Sequence, residues 1–184
     1  GYSGGLAAAE LGFTPIEGTR AFVYLRGRTA RFGLDDTGFP AFDSRNYNGT
    51  DQNVMGRIGV NSSLFDGVWQ TQLNASQFRS FRHYNQQLEL LDPSQASSNS
   101  RYRGQRSVVS WANTVNLPDW GVATGSSLIF GLEHTTDSAR TSLDTGSFGS
   151  VFQSSVGASA TNNAGNVGLQ TLLFQRLTFT LDLC

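Results

Sequence analysis

One stretch, residues 54–84, limits what this chain can fold into more than any other. It consists of two long runs that alternate between apolar and polar side chains, on either side of Asp66-Gly67. Successive side chains on a strand point to opposite faces, so a period of two over this length predicts two strands. Glycine accepts a positive φ without steric cost, so Asp-Gly predicts a tight turn between them. The stretch therefore predicts a β-hairpin with one apolar and one polar face.

The polar side of this hairpin carries uncharged amides in the middle of a strand, not only at its ends. Gln70, Gln72 and Asn74 share one parity, and Trp69 and Leu73 share the other. The chain has 15% charged residues, against roughly 25% in an average soluble domain. It contains no lysine, so every basic residue is arginine. A sandwich face that meets bulk water commonly carries Lys and Glu, whereas this composition is typical of an enclosed, water-filled lumen.

The rest of the chain continues the alternation and predicts about eight antiparallel strands and no helix. The predicted strands are residues 6–13, 20–34, 54–63, 68–84, 102–116, 127–138, 164–174 and 177–183. The predicted connections alternate between short turns and long loops, and the long loops cover residues 35–52, 85–101 and 141–161. Short turns at one end and long loops at the other are typical of transmembrane β-barrels. We therefore predict an all-β, up-and-down meander over residues 1–184 that forms a partial or small transmembrane β-barrel.

The two faces predict two environments. Arg or Lys on a lipid-facing strand position costs ~2–4 kcal/mol at the membrane midplane, and the apolar parity avoids such charges over its middle. The predicted lumen-facing residues are Arg26, Arg28, Arg57, Gln70, Gln72, Asn74 and Glu133. Two aromatic girdles are predicted at the membrane interfaces: Phe13, Phe65, Trp69 and Trp120 near the short turns, and Phe78, Phe81 and Tyr84 toward a long loop. The alternative is a soluble sandwich or solenoid, whose apolar face packs against a second protein layer.

Four segments carry a family resemblance. They read SRYRGQRSVVSWANTVNLPDWG at residues 100–121, SSLIFGLEHTTDSARTS at 126–142, GLDDTGFPAFDSRNYNGTDQNVMGRIGVNSSLFDGVWQTQLNASQFRSFRHY at 33–84 and NAGNVGLQTLLFQRLTFTLDL at 163–183. Together they resemble the barrels of TonB-dependent outer-membrane receptors, and within these the cobalamin transporters.

The resemblance implies a location in the bacterial outer membrane and a barrel of about 22 strands, filled by an N-terminal plug domain. It also implies import of cobalamin or a similar scarce, bulky nutrient such as a siderophore, with energy from the TonB complex. Eight strands cannot form such a wall, and no plug domain is present in the sequence, so we expect a barrel fragment of a longer receptor. A free-standing eight-stranded barrel with an anchoring or adhesion role is the alternative.

Candidate metal ligands lie in the loop at residues 35–52. Calcium binds several carboxylate and carbonyl oxygens on flexible segments. The resemblance implies calcium at Asp35, Asp36 and Asp43, because cobalamin transporters order their substrate loops with it. Solvated loop carboxylates are the alternative interpretation, and no other cofactor is expected.

Charge and histidine content disfavour other functions. A net charge of -1 gives no electrostatic reason to expect nucleic acid. A hydrolase triad would need Ser80 or Asp137 beside one of the two histidines, His83 and His134. His134 shares its parity with Leu132, which is a poor place for a base, so we predict no enzyme, and an outer-membrane hydrolase is the least favoured function.

Arginine on the polar parity has two interpretations. Arg26, Arg28, Arg57 and Arg106 are placed to contact a plug domain or a substrate phosphate, because the guanidinium fork matches such oxygens. Alternatively they form a ladder with Glu10, Glu133 or Asp137. The expected partners are thus outer-membrane lipid, a plug domain, the TonB complex and a small-molecule ligand.

Overall fold

Eight β-strands make up the chain in a computed structural model that describes residues 1–34, 46–88, 96–147, 149–174 and 176–183. The strands are β1 Tyr2–Ile16, β2 Thr19–Gly33, β3 Tyr47–Leu64, β4 Trp69–Gln86, β5 Ala96–Asn116, β6 Ala123–Ser147, β7 Ser150–Leu173 and β8 Leu177–Leu183. They form one antiparallel sheet in the order β1 to β8, so each strand pairs with the next along the chain. The predicted fold class is confirmed, and β1 and β8 are the two unpaired edges of the described sheet. Within the described ranges, no helix has the length and apolar character that a membrane span requires.

The hairpin at residues 54–84 forms as predicted, with an unbroken register from Val54 opposite Arg79 to Leu64 opposite Trp69. Its turn is wider than Asp-Gly alone predicts. Phe65, Asp66 and Gly67 all have positive φ, at 54°, 55° and 88°. Left-handed conformations are uncommon outside glycine, and aspartate tolerates them better than phenylalanine does. The turn therefore holds Phe65 in a strained conformation at the end of the hairpin.

The strands are longer than the alternation predicts. β6 and β7 pair through Thr141 opposite Val156 and on to Ser147 opposite Ser150, so the predicted long loop at 141–161 is wrong. Its Ser, Thr, Gly and Ala residues show no apolar parity, and backbone pairing needs none. β3 and β5 likewise begin at Tyr47 and Ala96, inside the other two predicted loops.

Cross-strand pairing sorts alternate positions of all strands onto two faces. The Arg57 face carries Arg57, Gln72 and the residues in register with them, and the Ile58 face carries Ile58 and Leu73 and their register partners. The large apolar side chains of the Ile58 face are exposed: Leu11, Phe13, Val23, Leu25, Val54, Ile58, Val60, Leu73, Val109, Trp111, Leu132, Val167, Phe179, Leu181 and Leu183.

This sheet has almost no core of its own. Ala30 is the one fully buried apolar residue in the described part of the chain, and Ile58 is 56% exposed. No second protein layer covers the Ile58 face within the described residues. An apolar surface of this extent is rare on a soluble monomer, so the face requires an apolar environment from outside these residues.

The apolar band on the Ile58 face runs obliquely across the strands. It covers Val54–Val60 on β3, Val109–Val115 on β5 and Leu128–Leu132 on β6. Followed along the registers from Val23 on β2 to Phe130 on β6, the centre of the band moves by four residues over four strand pairs, an average of about one residue per strand, with most of the shift between β3 and β4. With a rise of about 3.3 Å per residue and about 4.7 Å between strands, this is a tilt of about 35°. Strands in barrel walls are tilted by about 35–45°, so the band fits a horizontal belt around a tilted wall.

Candidate functional site

The Arg57 face brings together all the residues predicted to face a lumen. Register places Arg26, Arg28, Arg57, Gln70, Gln72, Asn74 and Glu133 on this one face, from β2 to β6. The small and amide residues opposite them, such as Ser76 opposite Arg57 and Asn61 opposite Gln72, continue the polar surface. The strand register establishes that these residues share one face. That this face lines a lumen stays a prediction.

Three ion pairs lie on the Arg57 face. Arg106 Nε and Nη2 donate to the two carboxylate oxygens of Asp137 at 2.7 and 2.8 Å. Arg20 contacts Glu10 at 3.0 Å, and Arg82 approaches Asp51 at 3.8 Å. Exposed pairs of this kind contribute little free energy in bulk water. They show instead that carboxylates and arginines are matched along this face.

Arg57 contacts neighbours on two other strands of this face. Arg57 Nη2 donates to Asn74 Oδ1 at 2.9 Å, and its guanidinium lies 5.4 Å from the centre of the Phe22 ring. The Phe22 ring covers Gly59, where an added Cβ would lie 2.6 Å from that ring. Arg57 makes no ion pair among the described residues, and neither do Arg26 and Arg28. Arg26, Arg28 and Arg57 are therefore cationic groups on this face without a carboxylate partner among the described residues.

The aromatic girdle toward the long connections needs a correction. Tyr84 packs edge-on against Phe32 and Tyr102 on the Arg57 face, with ring centres 6.1 and 5.8 Å apart. Phe78 lies opposite Met55 and Arg106 on the same face. Only Phe81 lies on the Ile58 face, because residues three apart on a strand point to opposite sides. Phe78 and Tyr84 therefore do not share a face with Phe81, so the three residues do not form one girdle on a single face, since nearness to a strand end does not determine the face.

Near the short turns, the Ile58 face carries two tryptophans with satisfied N–H groups. Trp69 Nε1 donates to Asn113 Oδ1 at 3.0 Å, and Trp111 Nε1 donates to Thr71 Oγ1 at 3.0 Å. Such amphipathic rings are enriched where a membrane meets water. Phe13 shares this face, whereas Phe65 and Trp120 lie in the connections themselves.

Asn113 and Thr71, the hydrogen-bond partners of these two tryptophans, are site residues that the alternation did not identify. β5 has apolar residues on both parities, so its two faces are not evident from the sequence. Thr71 lies two positions from Trp69 and Asn113 two positions from Trp111, and this spacing of a polar residue and a tryptophan on one parity is the signal that could have revealed both partners.

Neither histidine assembles a catalytic triad in the described part of the chain. His83 Nε2 contacts Asn99 Oδ1 at 3.1 Å, and His134 Nδ1 contacts Asn163 Oδ1 at 2.6 Å. Ser80 and Asp137 point to the Arg57 face, while both histidines lie on the Ile58 face.

The predicted calcium ligands Asp35, Asp36 and Asp43 lie outside the described residues. Among the residues that are described, no three His, Cys, Asp or Glu side chains gather into a metal-binding group.

These features define a class: the fold is that of an outer-membrane β-barrel wall. The ferric yersiniabactin uptake receptor FyuA from Yersinia pestis superposes with a TM-score of 0.68 and 10% identity, over 94% of this chain and 26% of that receptor. The translocator domain of the autotransporter NalP from Neisseria meningitidis gives a TM-score of 0.48 and 10% identity, over 98% of this chain and 58% of that domain.

The fold likeness to FyuA, a bacterial outer-membrane β-barrel, agrees with the predicted location in the outer membrane. The chain thus spans about a quarter of the receptor and somewhat more than half of the translocator domain. No protein-family model matches the sequence, and neither does any curated protein.

Proposed function

We propose that this chain is a wall segment of a TonB-dependent outer-membrane transporter. The Ile58 face meets the acyl chains, and the Arg57 face lines the water-filled interior. The observation that carries this proposal is the oblique apolar band, which crosses the strands at the tilt of a barrel wall. Exposed apolar side chains on one face and matched polar groups on the other fit the same arrangement.

The open sheet favours a larger wall over a free-standing eight-stranded barrel. β1 and β8 leave two unpaired edges in the described sheet. Unpaired backbone groups are not tolerated in the hydrocarbon region, so these edges need further strands beside them. This chain superposes on about a quarter of the FyuA receptor chain, and that similarity of fold supports the same interpretation. The alternative, an anchoring or adhesion barrel, requires that the 184 residues close on themselves.

The cargo we propose is cobalamin or a similarly scarce and bulky nutrient, such as a ferric siderophore. The resemblance of residues 33–84 and 100–142 to cobalamin transporters supports this choice. In this proposal the wall performs no catalysis. It encloses the cargo and contacts a plug domain, which connects the parent protein to the TonB complex. Calcium on Asp35, Asp36 and Asp43 belongs to the same proposal and would order the loop that meets the cargo.

Uptake by cells tests this proposal. The full parent gene is expressed in a host that lacks its own cobalamin and siderophore receptors, and radiolabelled cobalamin and ferric siderophores are supplied in turn. We expect accumulation of one cargo that disappears in a matched host without TonB. Equal accumulation in both hosts, or none of any cargo by a correctly folded barrel, would contradict the proposal.

Folding of the isolated 184-residue chain separates the two barrel hypotheses. A closed barrel migrates differently on a gel before and after heating. We expect no heat-modifiable form from this chain alone, whereas a stable one would favour the free-standing barrel.

A further inference from the structure

Four arginines gather on the Ile58 face beyond the apolar band, at the ends of the strands away from the short turns. They are Arg79 on β4, Arg101 and Arg103 on β5, and Arg140 on β6. Register places Arg103 directly opposite Arg140. Arg101 lies two residues from Arg103 along β5 in one direction, and Arg79 lies opposite Gln105, two residues away in the other direction. The four positions thus lie within about 10 Å across the strands and about 13 Å along them. We call these four residues the arginine patch.

The arginine patch has no balancing carboxylate. All four side chains are exposed, and none makes an ion pair with a described residue. Asp144 is the one carboxylate that a described strand presents on the Ile58 face, and it is diagonal to Arg101 without pairing. The Arg57 face differs, because three of its arginines pair with carboxylates.

Like charges directly opposite each other on a sheet destabilise it. Arg103 and Arg140 occupy such a pair, so the sheet bears a repulsion that an external anion would relieve. Beside them lies a shallow cleft of about 640 Å³ that Arg79, Phe81, Arg103 and Arg140 line, and it extends to Gly157 and Ser159 on β7. The guanidinium of Arg103 lies 6.0 Å from the centre of the Phe81 ring, which lines the same cleft.

The height of the patch identifies the kind of anion. The last aliphatic residues of the band on these strands are Ala75, Val109 and Leu132, which lie four to eight residues along the strand from the arginines, and Phe81 lies level with Arg103. On strands tilted by about 35°, that places the guanidinium groups about 10–20 Å above the acyl chains. In the outer leaflet of an outer membrane, this zone holds the sugars and phosphates of glycolipid headgroups.

We propose that the arginine patch binds the phosphorylated saccharide headgroup of a lipopolysaccharide molecule in the outer leaflet. Guanidinium groups match phosphate oxygens in geometry and charge, and several together supply the multivalent contact that an exposed site needs. The cleft seats the headgroup between β4 and β6, and the apolar band below it receives the acyl chains. This inference rests on the proposed function, since it needs the Ile58 face to meet the outer leaflet.

Binding of lipopolysaccharide to the full parent protein in detergent micelles tests the inference. The probe is fluorescently labelled rough lipopolysaccharide that retains its phosphorylated core. The variant R103Q/R140Q removes the central pair, and R26Q/R28Q removes the same charge from the Arg57 face as the matched control. We expect about 30-fold weaker binding for R103Q/R140Q and unchanged binding for R26Q/R28Q. We also expect dephosphorylated lipopolysaccharide to bind weakly to the wild type.

Three results would overturn the inference: equal affinity of R103Q/R140Q and the wild type, an equal loss in R26Q/R28Q, or displacement of the probe by equimolar inorganic phosphate. The last result would indicate a site for free phosphate. If R103Q/R140Q does not fold, R79Q/R101Q carries the same comparison. Heat-modifiable gel mobility is measured for every variant. If the wild-type parent protein never forms a barrel, the proposed function is contradicted as well. If it folds into a barrel that does not bind lipopolysaccharide, only this inference is contradicted.

Discussion

Replacing Ile58 with arginine tests which environment the Ile58 face meets. Ile58 lies in the middle of the apolar run of β3, between Val23 on one side and Ala75 on the other. It is 56% exposed in the described sheet. In water, a substitution at such a site changes the free energy of unfolding by only about 0.5 kcal/mol or less. In lipid, an arginine near the midplane costs ~2–4 kcal/mol.

The two environments therefore differ by at least about 1.5 kcal/mol, or about 10-fold in the unfolding equilibrium. The measurement is a urea titration of the parent barrel folded into phospholipid vesicles, with the heat-modifiable fraction followed on gels. Gln72→Arg is the matched control, because it adds the same charge on the Arg57 face between Asn61 and Ala112. We expect Ile58→Arg to lose ~2–4 kcal/mol and Gln72→Arg to lose about 0.5 kcal/mol or less. Equal, small losses in both variants would refute a lipid environment for the Ile58 face.

Replacing either of two glycines, Gly59 or Gly18, with alanine should lower the stability of the barrel, as measured by the same urea titration. Gly59→Ala should cost ~1–3 kcal/mol, because its Cβ would lie 2.6 Å from the Phe22 ring and force that ring to move. Gly18→Ala should cost at least ~1–2 kcal/mol, because φ is +74° and the new Cβ would lie 2.6 Å from the Ser63 carbonyl oxygen. Gly27→Ala is the control for both and should stay within about 0.5 kcal/mol, since nothing lies within 4 Å of its added Cβ. A loss in the control equal to either variant would contradict the steric argument.

Sequence patterns predict the faces well where one face is strongly apolar. In β3 and β4 the apolar parity is uninterrupted around Ile58 and Leu73, and a slip of one residue would exchange the faces. The residues predicted to face a lumen consequently share one face in the structure. Non-ionic amides such as Gln72 made that face distinguishable from an ordinary solvent-facing one.

Sequence patterns fail where both faces are polar. Residues 141–161 form paired strands, yet their Ser, Thr, Gly and Ala residues resemble a loop because neither parity is apolar. The first residues of β3 and β5 lie inside predicted loops for the same reason. Backbone pairing beyond the membrane is stabilised by the neighbouring strand, and a local pattern does not report it.

The arginine patch could not be predicted because it depends on register. Arg103 and Arg140 are 37 residues apart in sequence and meet only because β5 and β6 pair as they do. Arg79 alone appears as one charge at the end of an apolar parity. The prediction that grouped Phe78, Phe81 and Tyr84 in one girdle has the same weakness. The sequence places all three near a strand end, but a girdle also requires that its residues share one face.

The accessibility of single cysteines tests most directly whether the Ile58 face meets lipid and the Arg57 face meets water. In a parent protein with Cys184 changed to serine, one cysteine at a time replaces each of six neighbouring residues of the hairpin: Arg57, Ile58, Val60, Asn61, Gln72 and Leu73. Each carries a fluorescent label, and the folded barrel in vesicles is exposed to a lipid-soluble and a water-soluble quencher. We expect quenching from lipid at positions 58, 60 and 73 and from water at positions 57, 61 and 72. Equal quenching of all six positions by the water-soluble agent would contradict this expectation.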